Sequence, residues 1–264
     1  MGIDLNADVG ESFGAYKLGH DEDLIPLITS ANVACGFHAG DPGIMRATVA
    51  LARQHRVAVG AHPAFPDLVG FGRREINASP REVEDAVAYQ IGALAGIAAA
   101  EGVRLQHVKA HGALYNMAVR SRPLADAIAR AAASIDRTLI LLGLPGSELI
   151  EAGRQAGLRT APEGFADRAY QPDGALVPRT RAGAVIDDPD TVVDRAVMMA
   201  RERAVIAIDG SRVTIDVETM CVHGDTPGAA ALALRIRQAL ANAGIQVRAI
   251  GASGTNAQGP GTTA

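Results

Sequence analysis

Residues 107–111, with the sequence HVKAH, have the residue types and the spacing of a reaction centre. Alternate residues of a strand point to one face, so His107, Lys109 and His111 share a face if the strand extends that far. A lysine at a strand end can polarise a carbonyl or phosphoryl oxygen, and burial tunes its pKa. Lys109 is one of only two lysines, with Lys17, among the 25 lysines and arginines of the chain. The alternatives for Lys109 are an ordinary salt-bridged lysine and a functional one, and we favour a functional role.

Polar residues also end several other apolar runs. Asn6 and Asp8 stand two residues apart near the N-terminus, so they share a face in a strand, and their burial costs free energy unless they are used. Glu163 ends a later run, where a general base and an ordinary ion pair with nearby arginines are the alternatives. His223 ends the last predicted strand.

A third group of polar residues lies around the second and third predicted strands. Asn32 and His38 flank the start of a loop that opens a helix, and His62 ends the next strand. Asp8, His38 and His62 together have the donor types of a divalent-metal site, although their spacing along the chain is not diagnostic. The alternative for His62 is a structural, hydrogen-bonded histidine.

Short apolar or alternating runs, each followed by a helical pattern, must position these residues. Strands are predicted at residues 3–9, 30–37, 57–62, 104–109, 138–142 and 158–163, and a hairpin at residues 204–208 and 212–217, with its second run continuing to residue 222. Asp209-Gly210 is typical of its tight turn. Helices are predicted at residues 21–29, 41–55, 79–101, 124–134, 146–155, 190–203 and 227–242.

This alternation of strand and helix predicts parallel strands, in either a closed barrel or an open doubly wound sheet. Polar residues follow nearly every strand. They are not gathered at the single point where the strand order of an open sheet reverses, which favours the barrel. We expect one (β/α) barrel domain over residues 1–250. Residues 251–264 are rich in Gly, Ser, Thr, Asn and Gln, and predict a flexible tail.

The composition excludes several classes of protein. With 48% hydrophobic residues and a net charge of −4, the chain is neither disordered nor a basic nucleic-acid binder. No apolar run reaches the roughly 18 residues of a membrane-spanning helix. Two cysteines make no disulfide framework, and the N-terminus has no secretion signal, so we expect a cytoplasmic protein. Phosphate-binding loops, dinucleotide fingerprints and nucleophile elbows are absent from the sequence.

Seven segments, in this order, resemble the LamB/YcsF family, and the resemblance covers nearly the whole chain, from residue 3 to about residue 250. The segments are DLNAD (4–8), SANVACGFHAGD (30–41), GAHP (60–63), FGRR (71–74), VKAHGALY (108–115), EGFADR (163–168) and CVHGD (221–225).

The resemblance implies a distorted seven-stranded (β/α) barrel that is related to polysaccharide deacetylases. It also implies the activity of an ATP-hydrolysing 5-oxoprolinase, which opens the lactam of 5-oxo-L-proline to L-glutamate with ATP and Mg²⁺. Bacterial members of the family form one of three components of this enzyme, so the 5-oxoprolinase subunits B and C are the expected partners. Whether the chain also forms a homo-oligomer stays open.

Coupling to ATP suggests phosphorylation of the lactam oxygen, so that water attacks an activated carbon. In this scheme Lys109 holds the phosphoryl or lactam oxygen, and His111, with a carboxylate, positions or deprotonates water. The expected catalytic residues are Lys109, His111, Asp8 and Glu163. The expected substrate-binding residues are Asn6, Asn32, His38, His62 and His223. Without a phosphate-binding loop, ATP would bind in the mouth of the barrel or at the contact with another component of the enzyme.

Two other functions remain open. The first is a metal-dependent, deacetylase-like hydrolase that acts without ATP and binds its metal through Asp8, His38 and His62. The second is a non-catalytic scaffold that binds a small lactam for its partners.

Overall fold

The computed structural model describes residues 2–224 and 228–251. Its strands are β1 (Gly2–Val9), β2 (Ser30–Ala34), β3 (Ala58–His62), β4 (Leu105–Val108), β5 (Ile140–Gly143), β6 (Arg159–Phe165), β7 (Ala204–Ile206), β8 (Arg212–Thr214), β9 (Thr219–Val222) and β10 (Gln246–Val247). Seven of them run parallel in the order β1-β2-β3-β4-β5-β6-β9, and β9 pairs with β1 to close the ring. The predicted seven-stranded (β/α) barrel is therefore confirmed.

Helices surround the barrel, and their starts follow the signals in the sequence. They are α1 (Asp21–Leu24), α2 (Pro42–Gln54), α3 (Pro80–Ala100), α4 (Gly112–Ala118), α5 (Arg122–Ile135), α6 (Glu148–Gln155), α7 (Pro189–Glu202) and α8 (Ala229–Asn242). Asp41 caps α2 by accepting from the backbone N–H groups of Gly43 and Ile44. Ser79 and Glu82 form the predicted capping box at the start of α3.

Several predicted elements differ from the structure. The helix predicted at residues 21–29 is only the short α1 followed by a 3-10 turn (Ile25–Leu27), because Pro26 interrupts the pattern. The strand predicted at residues 30–37 ends at Ala34, just before Gly36 adopts a φ of 92°. The sequence patterns missed α4 and β10, which are short.

The predicted hairpin is present as β7 and β8, outside the barrel. Its loop runs from Ala207 to Ser211 rather than through a two-residue turn, and Gly210 has a φ of 87°. The second strand does not continue to residue 222, because β9 is a separate strand that joins the barrel.

The two faces of β1 differ in chemistry. Leu5, Ala7 and Val9 belong to the main hydrophobic core. Asp4, Asn6 and Asp8 alternate with them and are also buried. Successive side chains of a strand point to opposite faces, so the acidic and amide groups point into the barrel. The interior of this barrel thus holds hydrogen-bonded polar side chains where branched apolar ones usually dominate.

Hydrogen bonds between strands connect this polar interior. Both Thr29 Oγ1 and Ser30 Oγ donate to Asp4 Oδ1 at 2.7 Å, and Thr219 Oγ1 donates to Asp4 Oδ2 at 2.5 Å. A small apolar cluster of Ile140, Leu142, Ala161 and Ile250 lies apart from the main core.

Some predictions fall on parts of the chain outside the described residues. The start predicted for the last helix, at Pro227, lies there, as does the tail after Gly251. In residues 2–224 and 228–251, no helix is both long and apolar enough to cross a membrane.

Candidate active site

A cleft of about 730 Å³ opens at the carboxyl end of the barrel strands. Its wall includes Asp8, His62, Lys109, His111 and His223, which come from the ends of β1, β3, β4 and β9 or from just beyond them. Active sites of parallel (β/α) barrels are built at this end. The polar strand ends predicted to be functional therefore meet at one opening.

Lys109 lies at the centre of a group that we call the lysine network, made of Asn6, Asp8, Lys109, Glu163 and Cys221. Lys109 Nζ lies 2.8 Å from Asp8 Oδ1, 2.9 Å from Glu163 Oε1 and 3.0 Å from Cys221 Sγ. The Asn6 amide oxygen lies 3.3 Å from Lys109 Nζ. The ammonium group is thus held between two buried carboxylates.

The charges in this network support one another. Burial alone would lower the pKa of Lys109, but Asp8, Cys221 and Glu163 together raise it well above its usual value. Burial would raise the pKa of Asp8, yet His62 and Lys109 hold it well below its usual value. We conclude that Lys109 is a fixed cation and Asp8 a fixed anion across the neutral pH range.

Hydrogen bonds within and beneath the lysine network hold it in place. Asn6 Nδ2 donates to Glu163 Oε1 at 3.0 Å and to Thr219 Oγ1 at 2.7 Å. Asn32 Nδ2 donates to Asn6 Oδ1 at 2.7 Å and to Asp8 Oδ1 at 2.8 Å. His107 Nε2 donates to Asn32 Oδ1 at 2.8 Å. Both amides are fully buried and bonded to neighbours, which favours a positioning role over the predicted contact with substrate.

A second group, the histidine cluster, consists of Glu11, His38, His62 and His111. His62 Nε2 lies 2.9 Å from His111 Nδ1. Glu11 Oε1 lies 3.4 Å from His38 Nε2 and 3.8 Å from His111 Nδ1. The rings of His38 and His111 stack with their centroids 3.8 Å apart. Burial lowers the pKa of His111 to about 3 and that of His38 well below its usual value, so both rings are neutral at pH 7.

Two glycines let the chain fold tightly over this cluster. Gly72 has a φ of 64°, and an added Cβ would lie 2.9 Å from both His111 Cδ2 and His38 Cβ. At Gly112, with a φ of 56°, an added Cβ would lie 2.5 Å from the Gly72 oxygen. Phe71, which precedes Gly72, also has a positive φ, 54°, and its carbonyl oxygen lies 2.9 Å from His111 Nε2. Strained backbone of this kind is typical of functional sites.

His223 lies at the rim, next to Asp8 and Cys221 of the lysine network. Its Nδ1 lies 2.5 Å from Asp167 Oδ2, and its Nε2 lies 3.1 Å from Arg179 Nη2. The neighbouring wall is rich in cations, namely Arg73, Arg120, Arg168 and Arg179. This side of the cleft suits an anionic group such as a carboxylate or a phosphate.

Four buried side-chain atoms lack a hydrogen-bond partner among the residues that the structure describes: His38 Nδ1, Tyr115 Oη, Glu163 Oε2 and Asp167 Oδ1. Tyr115 lines the cleft, and burial together with Glu163 raises its pKa well above the usual value. A neutral phenol beside a buried carboxylate can donate a hydrogen bond to a ligand. Unsatisfied polar atoms of this kind call for an explanation, and a bound substrate or ion supplies one.

The structure brings together most of the residues expected from the sequence. His38 lies in the histidine cluster but not in the cleft wall, because it is buried behind His62 and His111. The predicted metal set of Asp8, His38 and His62 is divided, since Asp8 Oδ1 is bonded to Lys109 and only its Oδ2 approaches His62 Nε2, at 3.4 Å.

Sequence reasoning missed site roles for Glu11, Tyr115 and Cys221. The latter two lie within the VKAHGALY and CVHGD segments, so their signal was present but not interpreted. Glu11 lies in a loop, where neither period nor spacing indicates its direction.

Known proteins resemble this chain across nearly its full length. The family model described as "LamB/YcsF family" matches residues 3–254. The A-subunit of 5-oxoprolinase from Bacillus subtilis strain 168 is 54% identical over 248 residues, covering 94% of this chain and 96% of that protein.

Solved structures agree with this result. The lactam utilization protein from Thermus thermophilus is 51% identical and superposes with a TM-score of 0.91, covering 95% of this chain and 100% of that one. An Enterococcus faecalis protein named for cellobiose-phosphate cleavage shares the fold, with 16% identity and a TM-score of 0.54 over 93% of this chain and 95% of that one. With the family model matched from the first barrel strand to beyond the last, the chain belongs to the LamB/YcsF family.

Proposed function

We propose that this chain is the A-subunit of a 5-oxoprolinase and that its cleft binds 5-oxo-L-proline for ATP-dependent ring opening to L-glutamate. The observation that supports this most directly is the buried Lys109 ammonium, placed between Asp8 and Glu163 at the floor of the cleft. The relatives named as A-subunits of 5-oxoprolinase, with 52–56% identity, support the choice of substrate.

The chemistry of a lactam explains why ATP would be needed. An amide is a poor electrophile, and transfer of the γ-phosphoryl group of ATP to the lactam oxygen, with release of ADP, activates the ring carbon. Water adds to that carbon, the C–N bond breaks, and the ring nitrogen takes up a proton. A second water cleaves the resulting acyl phosphate to L-glutamate and phosphate.

The residues of the cleft have matching properties. Lys109 supplies a fixed positive charge for the lactam or phosphoryl oxygen. His111 is neutral, lines the cleft and can accept a proton from water. The arginines of the cleft wall, above all the largely buried Arg168, suit the substrate carboxylate or the phosphates of Mg²⁺-ATP. Subunits B and C of 5-oxoprolinase are the proposed partners for turnover.

The test is to assay L-glutamate and phosphate release from 5-oxo-L-proline and ATP, first with this chain alone and then with the two presumed partners. Lys109→Met should lower kcat of the complex by roughly 1,000-fold, because one fixed charge at a developing anion is lost. The matched control is Lys17→Met, which removes the only other lysine, an exposed one, and should leave turnover unchanged. Full activity of Lys109→Met would contradict the role of Lys109.

The histidine cluster favours a second candidate, a metal-dependent hydrolase that acts without ATP. Its three imidazoles and one carboxylate are donors typical of catalytic zinc sites. Release of acetate from an N-acetyl sugar by this chain alone, with no ATP present, would favour this candidate over 5-oxoprolinase activity. If substitutions of Asp8, Lys109 and His111 all left turnover of the complex intact, the chain would instead be a lactam-binding scaffold.

A further inference from the structure

Backbone contacts fix the tautomers of two histidines. His62 Nδ1 lies 2.7 Å from the carbonyl oxygen of Lys109, and His111 Nε2 lies 2.9 Å from that of Phe71. A carbonyl oxygen only accepts hydrogen bonds, so each of these ring nitrogens carries a proton. Where a ring carries only that one proton, its opposite nitrogen, His62 Nε2 or His111 Nδ1, is an acceptor.

These two nitrogens face each other at 2.9 Å, and His62 Nε2 also lies 3.4 Å from Asp8 Oδ2. Two lone pairs at that distance repel unless a cation lies against both of them. A metal ion bound tetrahedrally, at the usual zinc–nitrogen distance of about 2.1 Å, separates two ligand nitrogens by roughly 3.4 Å. The observed contact therefore needs only a small displacement to accept an ion.

Two further donors complete the surroundings of these nitrogens. Glu11 Oε1 lies 3.8 Å from His111 Nδ1, and His38 Nε2 lies 3.4 Å from the same Glu11 oxygen. All four donor atoms lie within 4.8 Å of one another, and all four residues are buried. The carbonyl groups that hold His62 and His111 are the outer partners typical of metal-binding histidines.

We propose that Glu11, His62 and His111 bind one divalent transition-metal ion, and that zinc fits this donor set best. The His38 ring is stacked parallel to the His111 ring, so one ion cannot lie in the planes of both, and His38 packs beside the site. Imidazole nitrogens and one carboxylate are ligands that zinc prefers, and neutral imidazoles are the form that binds it. Glu11, His62 and His111 line the cleft, so the ion is reached from the same opening as Lys109. Metal binding is measured on this chain alone, without turnover, although an ion on Nδ1 would take the nitrogen with which His111 accepts a proton in the proposed reaction.

The experiment is a metal titration of the full chain, purified without a histidine tag. After chelation, the protein is titrated with Zn²⁺ and with Co²⁺, and bound metal is measured by mass spectrometry and by the visible absorption of cobalt. We expect one ion per chain. His111→Gln and Glu11→Gln should each weaken binding by more than about 100-fold and abolish the cobalt spectrum.

The matched control is His55→Gln, which removes an exposed histidine at the end of α2 and should bind metal like the wild type. Circular dichroism reports the fold of each variant, and if His111→Gln does not fold, Glu11→Gln decides the question.

Three results would overturn the proposal. If the wild type binds no metal, a shared proton bridges His62 and His111. If His111→Gln and Glu11→Gln bind as well as the wild type, the ligands are wrong. If Cys221→Ala alone abolishes binding, the ion belongs to the neighbouring group of Asp8, Cys221 and His223. None of these results would alter the assay of lactam hydrolysis, so the two proposals fail separately.

Discussion

The lysine network and the histidine cluster lie side by side at the floor of one cleft, yet they satisfy their polar groups to different degrees, with Glu163 Oε2 the network atom that lacks a partner among the described residues. In the network, the Lys109 ammonium has two carboxylates, an amide oxygen and a thiol as partners. In the cluster, His38 Nδ1 has no partner among the described residues, and two imidazole nitrogens, His62 Nε2 and His111 Nδ1, face each other at 2.9 Å.

This difference indicates which part of the site contributes to stability and which part depends on a ligand. Buried charges that are paired and hydrogen-bonded hold the interior together, and removal of one of them leaves the others unpaired. Buried groups without partners lower the stability of the empty protein, because no hydrogen bond offsets their desolvation. Substitutions in and around the two groups should therefore differ in their effect on stability.

The largest effect on stability is expected for Lys109→Met. It leaves Asp8 and Glu163 buried without their cation, so the free energy of unfolding should fall by about 3–5 kcal/mol. Urea denaturation of the variant, beside Lys17→Met, measures it. A loss no larger than that of the control would mean that the lysine network does not stabilise the barrel.

The next effect concerns Asp4, below the network. Burial raises its pKa from 3.8 to about 6, against hydrogen bonds from Thr219, Thr29 and Ser30 that lower it. The folded state therefore holds the proton more tightly than the unfolded chain does. Its contribution to stability is complete below about pH 4 and is lost, by about 3 kcal/mol, as the pH rises through about 6.

Urea unfolding of the wild type and of Asp4→Asn across this range measures the effect. The difference in unfolding free energy between the two should change between about pH 4 and pH 6 and be constant above it. A difference that is constant throughout would show that Asp4 titrates normally.

A smaller effect is expected for Gly60→Ala. The added Cβ would lie against the His107 ring, so the ring must move and lose its 2.8 Å hydrogen bond to Asn32. We expect a loss of about 1–3 kcal/mol in stability and a lower kcat, with unchanged metal affinity. Gly96→Ala, whose Cβ would meet nothing within 4 Å on α3, is the control and should stabilise the protein by about 0.5–1 kcal/mol.

The smallest effect is expected for His38→Leu. Leucine replaces a buried ring whose Nδ1 has no partner in the described structure, so the metal-free stability should change by less than about 1 kcal/mol. Thermal unfolding with a chelator present measures this. A destabilisation as large as that of Lys109→Met would contradict our inference that the lysine network stabilises the fold more than the histidine cluster does.

Much of the fold could be predicted from the sequence because its signals are local. Asp41-Pro42 and the Ser79–Glu82 capping box mark helix starts through contacts within three residues. The polar alternation at Asn6 and Asp8 indicates a strand with a polar inner face. The short α4 was missed because it begins directly after a strand end, where the strand pattern masks the helical one.

The candidate site was predictable in its members but only partly in its contacts. Lys109 stood out through residue type and position, and the structure places it at the centre of the floor. Roles for Asn6 and Asn32 on the substrate were expected, whereas their amides bond to neighbours in the interior. Strand patterns show that a side chain points inward, but they do not show whether a neighbour already fills the space.

The order of strands and helices, the polar inner face of the strands and the residues able to do chemistry follow from the sequence, because periodicity and capping are local properties. Which of these residues meet depends on the tertiary structure. Lys109 and Asp8 are 101 residues apart in the chain and 2.8 Å apart in space. Glu11 joins three histidines only through the register of the closed barrel and the path of the loop after β1. Contacts between distant strands depend on how the barrel closes, and no local pattern encodes that distance.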